Sequence, residues 1–263
     1  MSIIITHNAG FFSCCSVILH EIINYINTNK QLPSNIDSSQ QFEFYKTDKS
    51  LDITQDYFLH YNNLENIDLD LSNNINYHHN YQFENYSILN YKCISKIIKK
   101  YFSPSNDITN IIKNIQVKYN LNYDNICVLF YRGNDKNRET TICGYEEYIN
   151  YANQILKENP NITFLIQSDE TEFIELCLNT YPNNSFYFKD ETRHMRKCDI
   201  IVELVSSNDE NYIYSKYFLA IIIIMSKCKY IICGSGNCSI WIMFYRENNN
   251  NVYQNLDGKW LIS

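Results

Sequence analysis

From residue 125 onward the chain alternates short apolar runs with stretches of helical periodicity, and this alternation restricts the fold more than any other feature. Residues 125–131, 162–166, 185–188 and 229–233 read as strands. Residues 145–157, 171–180, 212–226 and 238–246 carry apolar side chains at helical spacing. Strands separated by helices of this length pair in parallel through right-handed crossovers, so an α/β fold with a parallel sheet in the carboxyl-terminal half is expected. In such sheets ligands collect at the carboxyl ends of the strands.

The amino-terminal half is less regular. Residues 2–6 read as a short buried strand. A loop from His7 to Ser13 then leads into a helix with Val17, Ile18, Ile22, Ile23 and Ile26 on one face. Residues 30–90 are rich in Asn, Asp, Gln and Ser and poorly periodic, so short strands and long loops are expected there. Residues 91–119 read as two helices interrupted at Ser103-Pro104-Ser105, where proline stops one and a serine cap starts the next. The expected division is an amino-terminal lobe over 1–120 and a carboxyl-terminal lobe over 121–263.

Charge and cysteine usage narrow the class of function. A net charge of −7 argues against a general polyanion binder, so no nucleic-acid partner is expected. The first six residues lack the basic flank and apolar core of a signal peptide, and the longest apolar run, 217–225, falls short of a membrane span. Ten cysteines at irregular spacing, without a C-x-x-C pair, read as reduced thiols. The expectation is a cytoplasmic protein with no membrane span and no zinc site.

Three strand ends concentrate the chemistry. The first ends Phe130-Tyr131-Arg132-Gly133-Asn134-Asp135-Lys136, the second Gln167-Ser168-Asp169-Glu170, and the fourth Cys233-Gly234-Ser235-Gly236-Asn237-Cys238-Ser239. With 6 glycines in the whole chain, two at one strand–helix junction mark a tight turn whose following helix offers free N–H groups to an anion. Ser235 or Ser239 can add a hydroxyl, while an ordinary turn capped by Asn237 or Ser239 is the plainer account. Arg132 is one of five arginines among 22 basic residues, and its guanidinium offers a phosphate two parallel bonds that lysine cannot. Its plainer role is an ion pair with Asp135 or Glu139. Asp169 and Glu170 suit a ribose or base contact, or simply the first turn of the next helix.

In order and spacing these segments resemble the donor half of GT-B-type fucosyltransferases, the superfamily of α1,6- and protein-O-fucosyltransferases. The family's first donor strand ends in a pattern like H-x-R-R-x-D-K, of which Arg132, Asp135 and Lys136 remain, with Phe130 and Gly133 in place of the histidine and second arginine. Ser168-Asp169-Glu170 is similar to its T/S-D-D/E turn. Residues 220–246 repeat its helix, strand, small-residue loop and helix. The resemblance implies a Rossmann-like donor lobe over 121–263 and a reduced acceptor-side lobe over 1–120. It further implies inverting transfer of fucose from GDP-fucose, or another nucleotide sugar, to a glycan or protein hydroxyl, with no cofactor required. Arg132 would be the catalytic contact to the β-phosphate. Asn8, Gly10, Phe11, Asn134, Lys136, Asp169, Gly234, Ser235, Gly236, Asn237 and Ser239 would line the donor site.

A carboxylate base for the acceptor is open among Asp135, Asp37 and Glu43. Rival readings are a non-catalytic nucleotide- or glycan-binding module and a metal-dependent transferase using Asp68-Leu69-Asp70, a segment that also reads as an alternating edge strand. A hydrolase built on Ser235, His194 and Asp169 lacks the G-x-S-x-G elbow. Arg193, Arg196 and Lys197 read as a solvated loop or a basic lip to the site, and His78-His79 as surface.

Overall fold

The computed structural model describes residues 2–64 and 67–263. In chain order its first half contains β1 (Ser2–Ile4), α1 (Phe11–Asn29), β2 (Asn35–Asp37), α2 (Thr54–Tyr57), α3 (Tyr91–Tyr101) and α4 (Asn106–Lys118). The second half contains β3 (Ile126–Tyr131), α5 (Tyr145–Glu158), β4 (Thr163–Ser168), α6 (Thr171–Thr180) and β5 (Ser185–Phe186). It continues with α7 (Asn208–Ser226), β6 (Tyr230–Gly234), α8 (Asn237–Arg246), β7 (Val252–Leu256) and β8 (Lys259–Ile262).

The six-stranded sheet runs β5-β4-β3-β6-β7-β8, parallel throughout except for the last pair. All of β3 is buried, as a strand covered on both faces must be. Its side chains divide with period two. Ile126, Val128 and Phe130 join the core beneath α1, α7 and α8, and Cys127, Leu129 and Tyr131 join the core beneath α5 and α6. β6 obeys the same rule, with Ile231 and Cys233 on one face and Ile232 on the other.

The first of these cores crosses the expected lobe boundary. It runs from Ile5 and the α1 residues Ile18, Ile22 and Ile26 through α3 and α4 to Leu219–Met225 of α7 and Val252. Trp241, fully buried on α8, donates its indole N–H to Ser16 Oγ of α1 at 2.9 Å. These contacts fix the loop before α1 relative to the sheet, which matters for the site below.

Several expectations need correcting. The strand at 2–6 is shorter and only half covered. Its one partner is β2, and Ile4 is 62% exposed while Ile5 is buried. The helix expected at 212 begins at Asn208, because Ser207 and Glu210 form a capping box. Ser207 Oγ accepts from Glu210 N–H at 3.3 Å, and the Glu210 carboxylate accepts from Ser207 N–H at 2.9 Å. Removing that hydroxyl in Ser207→Ala is expected to cost about 1 kcal/mol and lower the melting temperature by about 3 °C, readable by calorimetry. The β7–β8 hairpin lies beyond the last element expected. Asp257 (φ 49°) and Gly258 (φ 78°) turn it, and that Asp-Gly pair is the signal that identifies such a turn. Between residues 30 and 90 the described residues form β2, the single turn α2 and several 3-10 turns. All ten cysteines are free thiols.

Candidate functional site

The carboxyl ends of β3, β4 and β6 open into one cavity of about 520 Å³, a size typical of small-ligand sites. Arg132, Lys136 and Asp169 border it from the first two strand ends, and Gly234, Ser235, Gly236, Asn237 and Ser239 from the third. Asn8, Gly10 and Phe11 border it from the loop before α1. Eleven of the twelve residues singled out in the sequence therefore meet in one place.

Arg132 is the positive centre. Its Nε lies 3.0 Å from Asp169 Oδ2 and its Nη2 3.9 Å from Asp135 Oδ1, so Asp169 rather than Asp135 or Glu139 is its main partner. The ion pair is close but poorly aligned. Arg132 Nε, Asp135 Oδ1 and Asp169 Oδ2 are all buried without a hydrogen bond. Burial works against the guanidinium charge, but Asp169, Glu203 and Asp135 outweigh it and hold the group protonated above its ordinary range. Burial pushes the Asp135 carboxyl up from its ordinary value, against the pull of Arg132.

The β4 turn locks this loop in place. Asp169 Oδ1 accepts from Gly133 N–H at 3.0 Å, and the fully buried Glu170 accepts from Asn134 N–H at 2.7 Å and from the Tyr145 hydroxyl. Asp169 and Glu170 thus hold the Arg132 loop instead of capping α6, which has no side-chain cap. Gly133 fits because nothing larger can. A Cβ there would lie 1.9 Å from Glu170 Oε1, so the carboxylate fills the space that a second arginine would need.

The first turn of α8 borders the cavity at Asn237, Cys238 and Ser239. Ser235 N–H is committed to Asn255 O at 2.8 Å and Gly236 N–H to the Tyr86 hydroxyl at 3.1 Å. That leaves the N–H groups of Asn237, Cys238 and Ser239 as the unpaired first-turn donors. Gly236 has φ 151°, a conformation that side chains rarely adopt, and a Cβ there would meet Lys136 Cε at 2.9 Å. Lys136 thus lies over the turn, with its ammonium paired to Glu139 and 5.3 Å from the Phe83 ring centroid.

The amino-terminal wall is built by long-range contacts. Tyr45 accepts from Phe11 N–H at 2.7 Å and donates to Glu203 Oε1 at 2.9 Å, which ties the loop before α1 to the segment preceding α7. Arg193 borders the cavity, donates to Asn211 Oδ1 at 2.6 Å and lies 5.0 Å from the Tyr214 ring centroid. Glu203, Tyr45, Asn255 and Arg193 therefore belong to the site. Of these, only Arg193 carried a local signal in the sequence.

Other candidates lie elsewhere. Asn134 is 3% exposed and turns inward (φ 31°), where its amide donates to Asp169 O at 3.1 Å and accepts from Cys198 N–H at 3.0 Å. It braces the loop and does not border the cavity, which corrects its assignment as a donor contact. The Ser235 hydroxyl points to β7, donating to Asn255 O and accepting from Gln254, each at 2.8 Å. Ser235 thus borders the cavity with its hydroxyl and its N–H both engaged with β7. It does not meet His194, whose Nδ1 lies 2.9 Å from Thr171 Oγ1, so the hydrolase triad does not form.

Of the three candidate bases, Asp135 borders the cavity. Asp37 and Glu43 do not, and Glu43 pairs with Lys49 at the surface. Asp68 and Asp70 also lie away from it, in irregular chain instead of a strand. Both Asp70 oxygens are taken by Ser72 and Asn73. Arg196 pairs outward with Glu175 at 2.8 Å, and Lys197 is exposed.

No protein-family profile matches the sequence, and no curated protein matches it. Solved structures do match in three dimensions. One is a variant of FUT1 from Arabidopsis thaliana in complex with GDP. It aligns at TM-score 0.53 and 7% identity over 96% of this chain and 69% of that one. The chain therefore has a GT-B-like, fucosyltransferase-like fold, with almost no sequence in common with that protein. Among the described residues no helix is long and apolar enough to cross a membrane.

Proposed function

We propose that the chain is a glycosyltransferase that moves fucose from GDP-fucose to a hydroxyl of a glycan or protein, with inversion. One observation carries this reading. A poorly aligned Arg132 guanidinium and the unpaired first-turn N–H groups of α8 border a single cavity of about 520 Å³ at the strand ends. The match to a GDP-bound fucosyltransferase variant supports the donor class.

The acceptor oxygen attacks the anomeric carbon as the bond to the β-phosphate oxygen breaks. Negative charge grows on the departing diphosphate. Arg132 gains a stronger partner there than in the ground state, and α8 presents its positive end to the same group. Fixed cationic and dipolar groups thus take the place of a metal ion at the leaving group. Asp135 receives the acceptor proton, because its carboxyl borders the cavity and its Oδ1, 3.9 Å from Arg132 Nη2, makes no hydrogen bond.

The Asp135 assignment has a pH signature. Its protonation midpoint lies above the ordinary 3.8 because burial disfavours the charge, and the base form is the charged one. Transfer should therefore rise with pH through a midpoint above 3.8 and lose that limb in Asp135→Asn, with kcat down about 100-fold or more. The test is product analysis by NMR with GDP-fucose and a panel of hydroxyl acceptors. Formation of GDP with an inverted anomeric centre is expected. Saturable GDP binding with no turnover on any acceptor would favour the non-catalytic binding module.

A further inference from the structure

A second group of chemically capable side chains lies outside the cavity. His20 projects from α1, and His78 and His79 come from the turn that begins the 79–83 segment. Their ring centroids are 4.5 Å (His20–His78), 5.4 Å (His20–His79) and 4.3 Å (His78–His79) apart. One ring nitrogen from each falls within 4.8 Å of the others. The Nδ1 atoms of His20 and His79 are buried and make no hydrogen bond. Ring nitrogens withdrawn from water without a partner are destabilising, and packing three imidazoles together does not relieve them.

We propose that His20, His78 and His79 hold a divalent transition-metal ion, with Zn2+ the best match to an all-imidazole donor set. Nitrogen donors without a carboxylate select against Mg2+ and Ca2+, and side-chain rotations are enough to bring three rings to Zn–N distances of about 2.0–2.1 Å. His20 Nε2 lies 2.9 Å from the Asn24 side-chain amide. As placed, the amide nitrogen donates to Nε2; turning the amide over puts its oxygen there, so that on metal binding Nε2 carries the proton and the Nδ1 lone pair faces the cluster, the usual outer support of a metal-bound histidine. His78 is the exposed arm. Its Nδ1 accepts from Asn80 N–H at 3.2 Å, a long bond that ligation through that atom replaces. Three donors leave the fourth tetrahedral position to water.

The ion would pin the segment that closes one wall of the donor cavity. Gln82 borders the cavity, Phe83 lies beneath Lys136, and Tyr86 accepts from Gly236 N–H. The role is structural and separate from sugar transfer, so its test needs no nucleotide.

The full chain, stripped with EDTA, is titrated with ZnCl2 by calorimetry alongside His20→Gln, His79→Gln and His78→Gln. The last replaces an exposed side chain and preserves the packing. One ion per chain is expected, with affinity at least tenfold weaker in each variant. The melting temperature should rise with zinc in the wild type alone, and hydrogen exchange across 78–86 should slow. Cobalt(II) loading should give ligand-field bands without a thiolate charge-transfer band. Unchanged zinc affinity in the three variants, a thiolate band assigning the ion to cysteines, or no saturable binding would each overturn the site.

Discussion

Arg132→Ala is expected to weaken GDP binding by about 100-fold or more, through loss of a bidentate charge-assisted contact in a partly dehydrated cavity. It also leaves the Asp169 carboxylate, buried and 3.0 Å from the guanidinium, with Gly133 N–H as its remaining partner. Removing one member of such a pair costs on the order of 3 kcal/mol of stability, so the alanine variant is expected to melt earlier as well. Arg132→Lys separates the two effects. The ammonium keeps a positive charge beside Asp169 but cannot present the planar fork, so stability should largely return while GDP affinity stays about 10-fold or more below wild type. Titration calorimetry on folded protein reads the difference. Equal affinity in Arg132→Lys and wild type would remove Arg132 from the diphosphate site.

The second large effect is one of folding. Gly133→Ala places a Cβ 1.9 Å from Oε1 and 2.1 Å from Cδ of Glu170, a fully buried carboxylate already bonded to Asn134 N–H and Tyr145. To make room the carboxylate must give up those bonds or the loop must shift, at about 3 kcal/mol for overpacking and lost hydrogen bonds together. For a chain of this size that lowers the melting temperature by about 6–12 °C. Pairing it with Glu170→Ala in a double-mutant cycle should recover much of the loss, since the two changes act on one contact. Independent, additive costs would contradict the close approach.

How far the sequence predicts the site depends on the range of the contacts. β3 is plain because six consecutive residues are apolar and both sheet faces are covered, and β4 and β6 share its neighbourhood. The residues that follow a strand end are placed at the sheet edge by topology alone, which is why Arg132, Asp169 and Gly234–Ser239 converge as expected. Glu203, Tyr45 and Asn255 carry no such signal. Each reaches the cavity through contacts distant in sequence, such as the bond from Tyr45 to Glu203. Asn134 shows the converse. It adjoins the central arginine in sequence, yet a positive φ turns it into the protein, where it braces the loop. The His20, His78 and His79 cluster is hidden for the same reason as Tyr45, because the partners lie on separate elements. The β7–β8 hairpin is different, since Asp257-Gly258 between alternating residues is a local signal in plain view.

In the proposed reading a nucleoside diphosphate is held by Arg132 and the first turn of α8. Thermal unfolding of the wild-type chain with GMP, GDP, UDP, CDP and ADP at matched concentrations tests it most directly. At about 100 times its dissociation constant a ligand stabilises the folded state by about 2.7 kcal/mol, here a rise of about 5–10 °C. Such a rise is expected for GDP, a much smaller one for GMP, which lacks the β-phosphate, and smaller ones for the other diphosphates. A GMP shift equal to that of GDP, or no shift with any nucleotide, would contradict the proposed reading.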